Sequence, residues 1–315
     1  MRQLHCILVT HKNHPEAIIC TTSIVISTME DIKIQDFSSL FSVKGKVAVV
    51  TGGSRGLGLT AASALLQAGA SKVFITSRKA KACDEAVAAL NKLPNLSPGA
   101  QAISVPADSS TVEGVQSLVD GVKRHTAHVD ILLANAGATW GEAFDTHPDS
   151  AFAKVMDLNV RAVFNTVRLF APLLQKRASV SDPSRVVITS SVAGLGVGTL
   201  GAQGTYGYSA SKAGVLHLGR NLALELGPRA ITVNSICPGF FPTKMSNGLM
   251  EMSGGVERLA AANPMKRLGR PEDIAGAIVY LCSRAGSHVN GDAIEIDGGA
   301  LWQRGELIAP AAAKL

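Results

Sequence analysis

Tyr208 and Lys212 stand four residues apart in the stretch VVITSSVAGLGVGTLGAQGTYGYSASK, residues 186–212. On a helix that spacing puts both side chains on one face. A phenol beside an ammonium is a device for moving a proton, because the positive charge favours phenolate and draws tyrosine below its usual value of about 10. Tyr206 competes for the role, but the residue four after it is Ala210. Ser190 and Ser191 end the apolar run before the loop, and either would hold a substrate oxygen against the phenol. Neighbours on a strand face opposite ways, so only one of the two can do so.

A second chemical signal lies at Thr51-Gly-Gly-Ser-Arg-Gly-Leu-Gly58. It follows an apolar strand run and opens an Ala/Leu-rich helix. Glycines such as Gly52 and Gly58 let a backbone approach a pyrophosphate, and the helix N-terminus favours its charge. The next strand run ends in Ser77-Arg78, where an acid would be expected for a ribose 2′-hydroxyl. Arg78, helped by Arg55, pairs instead with a 2′-phosphate, which favours NADP(H) over NAD(H). The alternative is two solvated surface arginines. Asp108 either accepts from an adenine amino group or caps the helix that follows Thr111. Asn135-Ala-Gly137 is either a close backbone pass near the cofactor or an ordinary strand-end turn.

These residues need a frame. Apolar strand runs at 46–51, 71–77, 100–108, 129–137, 185–190, 230–239 and 292–299 alternate with helical patterns at 59–68, 81–90, 112–125, 150–175, 208–226 and 271–284. The alternation implies an α/β fold: a single-domain, doubly wound Rossmann fold with a parallel sheet of about seven strands. Residues 45–303 form this domain. Residues 1–44 lack the periodicity and read as an extension, with Met29 resembling a second start; residues 304–315 are a tail. The polar, Gly/Met-rich 240–264 stretch reads as a mobile substrate lid.

Composition narrows the partners. The chain has 315 residues, 46% hydrophobic and 17% charged, so it can bury a large core. The net charge is +6 but the basic residues are scattered, and aromatics are only 4%, which argues against nucleic acid. A phosphate-bearing small molecule suits this balance. The five cysteines show no metal or CxxC spacing and read as free thiols. No run reaches the roughly 18 apolar residues of a membrane span.

Taken together, TGGSRGLG, the Asn135-Ala-Gly137 turn, Leu158-Asn159-Val160, ITSSVAG, YSASK, Cys237-Pro-Gly-Phe-Phe-Pro-Thr243 and Asp297-Gly-Gly resemble the classical short-chain dehydrogenase/reductases, over residues 44 to about 303. Within that family the chain looks most like reductases of the 3-oxoacyl-carrier-protein and rhamnolipid-biosynthesis type. The resemblance implies Tyr208 as catalytic acid/base and Ser191 as the carbonyl-binding serine. It implies that Lys212 holds the nicotinamide ribose and lowers the pKa of Tyr208, and that Asn159 supports a proton-relay water. It also places Ser54, Leu57, Asp108, Asn135 and Thr243 along an NADP(H) cofactor. Two departures stand out: Ala134 replaces the first asparagine of the usual NNAG, and the loop from Ser191 to Tyr208 is about four residues longer than is common.

The expected function is reduction of a ketone, a 3-oxoacyl thioester or a secondary-metabolite carbonyl, to a secondary alcohol. A nucleotide-sensing regulatory module and an enoyl-thioester reductase are the alternatives. The family suggests a homotetramer or homodimer. The closing Ala313-Lys314-Leu315 resembles a peroxisomal targeting tripeptide, with the cytosol as alternative location.

Overall fold

The computed structural model describes residues 34, 36–243, 248 and 255–303, and the backbone of two strands nearer the N-terminus. Those two strands, Leu4–Leu8 and Ile18–Thr22, pair antiparallel with Cys6 opposite Cys20. They fall in one unit, Met1–Ser39; the second unit is Leu40–Leu315. Leu40–Lys44, placed in the extension on sequence grounds, are bonded into the second unit. Val43 is buried and donates to the Ala68 carbonyl, and the Leu40 carbonyl accepts from Ala285.

The second unit is built on seven strands: β1 (Val47–Thr51), β2 (Lys72–Thr76), β3 (Gln101–Ser104), β4 (Ile131–Ala134), β5 (Ser184–Thr189), β6 (Ile231–Pro238) and β7 (Ala293–Ile296). All pairings are parallel, in the order β3-β2-β1-β4-β5-β6-β7. The strand order reverses between β1 and β4, the crevice where open α/β sheets take ligands. The third strand is shorter than the apolar run suggests. Val105 and Ala107 still donate to Ile75 and Ser77, and Pro106 falls between them, where the N–H of this edge strand would face away from the sheet.

The strands are apolar on both sides because helices cover both faces. Along β1, Val47 and Val49 face one core with Phe74, Leu118, Phe170, Ile188 and Val215. Ala48 and Val50 face the other with Leu65, Leu66, Ile75, Ile278 and Leu281. This period of two is the pleat itself. Helices α1 (Gly56–Gln67), α2 (Ala80–Leu90) and α8 (Pro271–Cys282) cover one face. Helices α3 (Val112–Lys123), α5 (Ala162–Leu174) and α6 (Tyr206–Leu226) cover the other.

The long helix expected at 150–175 is interrupted. Helix α4 (Asp149–Met156) runs into a π turn, Asp157–Arg161, before α5 begins, and Asn159 sits in that turn. Helix α6 begins at Tyr206, two residues before the expected start. The lid expected at 240–264 contains a helix, α7 (Gly255–Ala262), while residues 244–247 and 249–254 lie outside the described residues. Among the described residues, no helix is long and apolar enough to cross a membrane.

Candidate active site

Strand β5 and helix α6 bring the proton-handling side chains together. Ser190 and Ser191 leave the strand on opposite sides, as the pleat requires. Ser190 turns inward and its hydroxyl donates to the Lys212 carbonyl at 2.9 Å. Ser191, in extended backbone at φ −170°, lies against the Tyr208 phenol, while its hydroxyl accepts from Ala193 N–H at 3.2 Å and points a long 3.5 Å bond at the Pro238 carbonyl. The strand therefore spends one serine on structure and presents the other. Lys212 Nζ lies 5.5 Å from the centre of the Tyr208 ring and donates to the Thr189 carbonyl at 2.7 Å.

Burial dominates the electrostatics here. It pushes the Tyr208 phenol above its ordinary value, and the Ser191 hydroxyl opposes that. The expected lowering by Lys212 is not observed; loss of water around the ring, with the nearby Cys237, pushes the phenol the other way. Burial also drives Lys212 down to about 8. The neighbouring Cys237 is a buried free thiol pushed up to about 11, first by burial.

The lysine value has a consequence for stability. Below pH 8 the buried ammonium carries its full desolvation cost. Between about 8 and 10.5 the unfolded chain holds a proton that the folded chain has released, so this cost fades as pH rises. Lys212→Met should therefore raise Tm by a few degrees at pH 7, with the gain shrinking towards nothing near pH 10.5. Calorimetry of both proteins across that range checks it; a gain constant with pH would show that the ammonium is not the cause.

The glycine turn sits at the end of β1. Gly52 (φ +64°) and Gly56 (φ +55°) adopt the left-handed conformation that the turn needs. Helix α1 starts at Gly56 with no side chain capping its first N–H groups, leaving these donors for an anion. A Cβ on Gly56 would lie 3.6 Å from Thr243 Cγ2, which places Thr243 over the turn. Ser54 and Leu57 lie on the turn, both half-buried. At Gly58 a Cβ would come within 2.5 Å of both the Gly52 carbonyl oxygen and Asn135 Nδ2. Gly58→Ala should therefore displace the turn and weaken NADPH binding at least about tenfold, read by fluorescence titration. Unchanged affinity would show that the turn does not hold the dinucleotide.

Arg55 and Arg78 are exposed at this same edge, and neither pairs with a carboxylate among the described residues. Asp108 lies close enough to Arg78 to feel its charge. Burial raises its pKa, but bonds from the Ser110 hydroxyl and N–H, with Arg78, leave the carboxyl below its ordinary value. Asp108 does not cap α3; Thr111 does, accepting from Gly114 N–H at 3.0 Å.

Asn135 works as a bolt. Its Nδ2 donates to the Thr51 carbonyl at 3.0 Å and the Gly52 carbonyl at 3.3 Å, and its Oδ1 accepts from the Thr189 hydroxyl at 3.1 Å. The Thr51 hydroxyl accepts from the N–H groups of Asn135 and Ala136. Its side chain thus holds the glycine turn and β5 in register. Asn159 does the same one turn on. Its Oδ1 accepts from Ala138 N–H, and its Nδ2 donates to the Ala138 carbonyl and the Ser211 hydroxyl, each at 2.9 Å. Both amide hydrogens are taken, so the side chain is not a donor to a relay water. A Cβ on Gly137 would stand 3.1 Å from Asn159 Oδ1, a tight approach, and 3.6 Å from Lys212 Nζ, an ordinary contact, so this glycine makes room chiefly for the Asn159 amide.

Thr51, Thr189 and Ser211 did not stand out in the sequence, yet each orients a candidate residue. The only signal was a small hydroxyl at a strand end or beside the motif lysine. Together the residues fit a nicotinamide dinucleotide carrying a 2′-phosphate: uncapped helix donors, a left-handed glycine turn and two unpaired guanidinium groups at one edge.

Comparison with known proteins agrees with this geometry. A family model described as enoyl-(acyl carrier protein) reductase matches residues 52–300. The rhamnolipids biosynthesis 3-oxoacyl-[acyl-carrier-protein] reductase of Pseudomonas aeruginosa is 41% identical over 82% of this chain and 97% of its own length. The short-chain dehydrogenase/reductase PhomF of Diaporthe leptostromiformis is 32% identical over 84% of this chain and 94% of its own. The structure of the Pseudomonas aeruginosa RhlG/NADP active-site complex superposes with a TM-score of 0.77 at 39% identity, covering 84% of this chain and 99% of that one. At this identity and coverage, the chain belongs to the short-chain dehydrogenase/reductase family.

Proposed function

We propose that this protein reduces a ketone to a secondary alcohol with NADPH, and that Tyr208 supplies the proton. The observation that carries the reading is the placing of Ser191 against the Tyr208 phenol, with Lys212 Nζ 5.5 Å from the tyrosine ring. When bound, the dinucleotide supplies the hydride. The chain does the rest. Ser191 donates to the carbonyl oxygen and holds it beside the phenol. Tyr208, whose raised pKa keeps it protonated at neutral pH, gives its proton to that oxygen. Lys212, mostly charged at pH 7, stabilises the phenolate left behind. Asn159 positions Ala138 and Ser211 and acts through them.

Arg78 and Arg55 support a 2′-phosphate, and a relative solved with NADP supports the same choice. The description of the matching model raises an enoyl thioester as a second substrate. A serine hydroxyl set beside a phenol favours a carbonyl oxygen over a carbon–carbon double bond. Relatives named as 3-oxoacyl-[acyl-carrier-protein] reductases support a 3-oxoacyl thioester as substrate, with a secondary-metabolite carbonyl as the other choice; the family resemblance suggests a homotetramer or homodimer. Ala313-Lys314-Leu315, outside the described residues, supports a peroxisomal address; a fluorescent fusion lacking those three residues should become cytosolic.

The test is oxidation of NADPH and NADH against ketones and 3-oxoacyl thioesters. NADPH should be the faster donor with at least one ketone. Tight NADPH binding without turnover of any carbonyl would favour a nucleotide sensor instead.

A further inference from the structure

We infer that the substrate is a ketone with a neutral, apolar body, recognised outside its carbonyl by hydrocarbon contact; this rests on the ketone-reductase reading above. The long loop after Ser191 carries the argument. Residues 191–205 contain no charged side chain. The loop is held to α6 at two points: a Cβ on Gly194 would meet the Lys212 carbonyl carbon at 2.5 Å, and one on Gly198 would collide with the Ser209 hydroxyl. Between and just beyond these anchors, Leu195, Val197 and Leu200 are 37%, 83% and 63% exposed. A loop anchored this closely to the Tyr208–Lys212 turn shows its apolar side chains to solvent beside the reacting groups.

Three other segments bring the same chemistry to this edge. The turn Ala300–Trp302 packs on the loop, since a Cβ on Gly196 would lie 2.8 Å from Leu301 Cδ1, and Trp302 is exposed. Gly141 backs on Gln203 and Glu142 bridges Gly204, which brings exposed Trp140 to the loop's far end. Phe240, also exposed, follows β6, the strand paired with β5. Isolated surface apolar residues mean little, but a converging group at a site mouth marks binding.

The charges point the same way. Residues 136–141, 191–205, 237–241 and 298–302 contain no ionisable group besides the buried Cys237 thiol. Asp297, next to the last segment, spends its carboxylate on the N–H groups of Gly299 and Leu301. These four segments therefore offer no cation to a carboxylate or phosphate near the ketone, whose desolvation would go unrepaid. The exposed Arg55 and Arg78 belong to the β1 and β2 end.

The experiment measures kcat/KM with NADPH for 2-alkanones of four to ten carbons, and for a 3-oxo ester beside its free carboxylate. The expected result is a rise of about three- to fourfold per methylene, before levelling off. The ester should exceed the carboxylate by at least about tenfold. Leu195→Ser combined with Val197→Ser should flatten the chain-length dependence, with NADPH affinity measured as the check on folding. A flat series in the unsubstituted protein, or a preferred carboxylate, overturns the inference and leaves the reductase reading standing. An unaltered slope in the folded double variant also overturns it, because the loop would then be covered by something else, such as a second copy of the chain. No turnover of any ketone despite tight NADPH binding overturns the reductase reading, and this inference with it.

Discussion

Tyr208→Phe is expected to lower kcat by about a thousandfold or more while leaving the NADPH dissociation constant within about twofold. The ring stays, so the packing that half-buries it and its place on the face shared with Lys212 are kept. Only the oxygen is lost, and with it both the proton and the partner of Ser191. General acid catalysis is worth about a hundredfold to ten-thousandfold, and here the proton source also helps to fix the carbonyl. Stopped-flow kinetics with fluorescence titration separates the two effects. Turnover near the original rate would sink the assignment of Tyr208. A parallel loss of NADPH binding would mean that the phenol serves the cofactor rather than the substrate.

The next largest change is expected at Arg78. Arg78→Asp should lower the preference for NADPH over NADH, measured as the ratio of kcat/KM values, by about a hundredfold or more. A charge-assisted bond to phosphate contributes about 1.5–3 kcal/mol, and the new carboxylate adds repulsion against the 2′-phosphate while offering the 2′-hydroxyl an acceptor. Arg78 is exposed and makes no ion pair among the described residues, so its loss leaves no buried partner behind. Kinetics with both cofactors at saturating ketone decide the matter. An unchanged ratio would assign Arg78 to the solvated surface and leave Arg55 as the phosphate's partner.

The parts of the site that could be read in sequence are those in which chemistry sits at a strand end. The glycine turn, Arg78 and Ser191 each follow or end an apolar run, and the fold puts such ends along one edge; Tyr208 and Lys212 were legible from their four-residue helical spacing. The strand count and the helices on both faces were legible for the same reason: the apolar periods are long and regular. What could not be read depends on juxtaposition. Asn135 grips Thr51 across 84 residues, and no local pattern announces it. The π turn at Asn159 looks helical in sequence, because one extra residue in a turn hardly disturbs the period. The direction of the Tyr208 shift was misjudged because charge is visible in a sequence and desolvation is not. The paired strands at Leu4–Leu8 and Ile18–Thr22 were missed because neither run alternates clearly, and Asn13 and Pro15 between them do not spell a two-residue hairpin turn.

The Asn135 bolt has a bearing on how such a protein changes over generations. It joins the half that grips the nucleotide to the half that carries Ser191, Tyr208 and Lys212, using side-chain bonds to backbone at the sheet edge. The loops that meet the substrate hang outside this joint. A change of length in the loop between Ser191 and Tyr208 therefore leaves the glycine turn and β5 in the same register. A lineage with this joint can explore new substrates through its loops while its reaction stays constant.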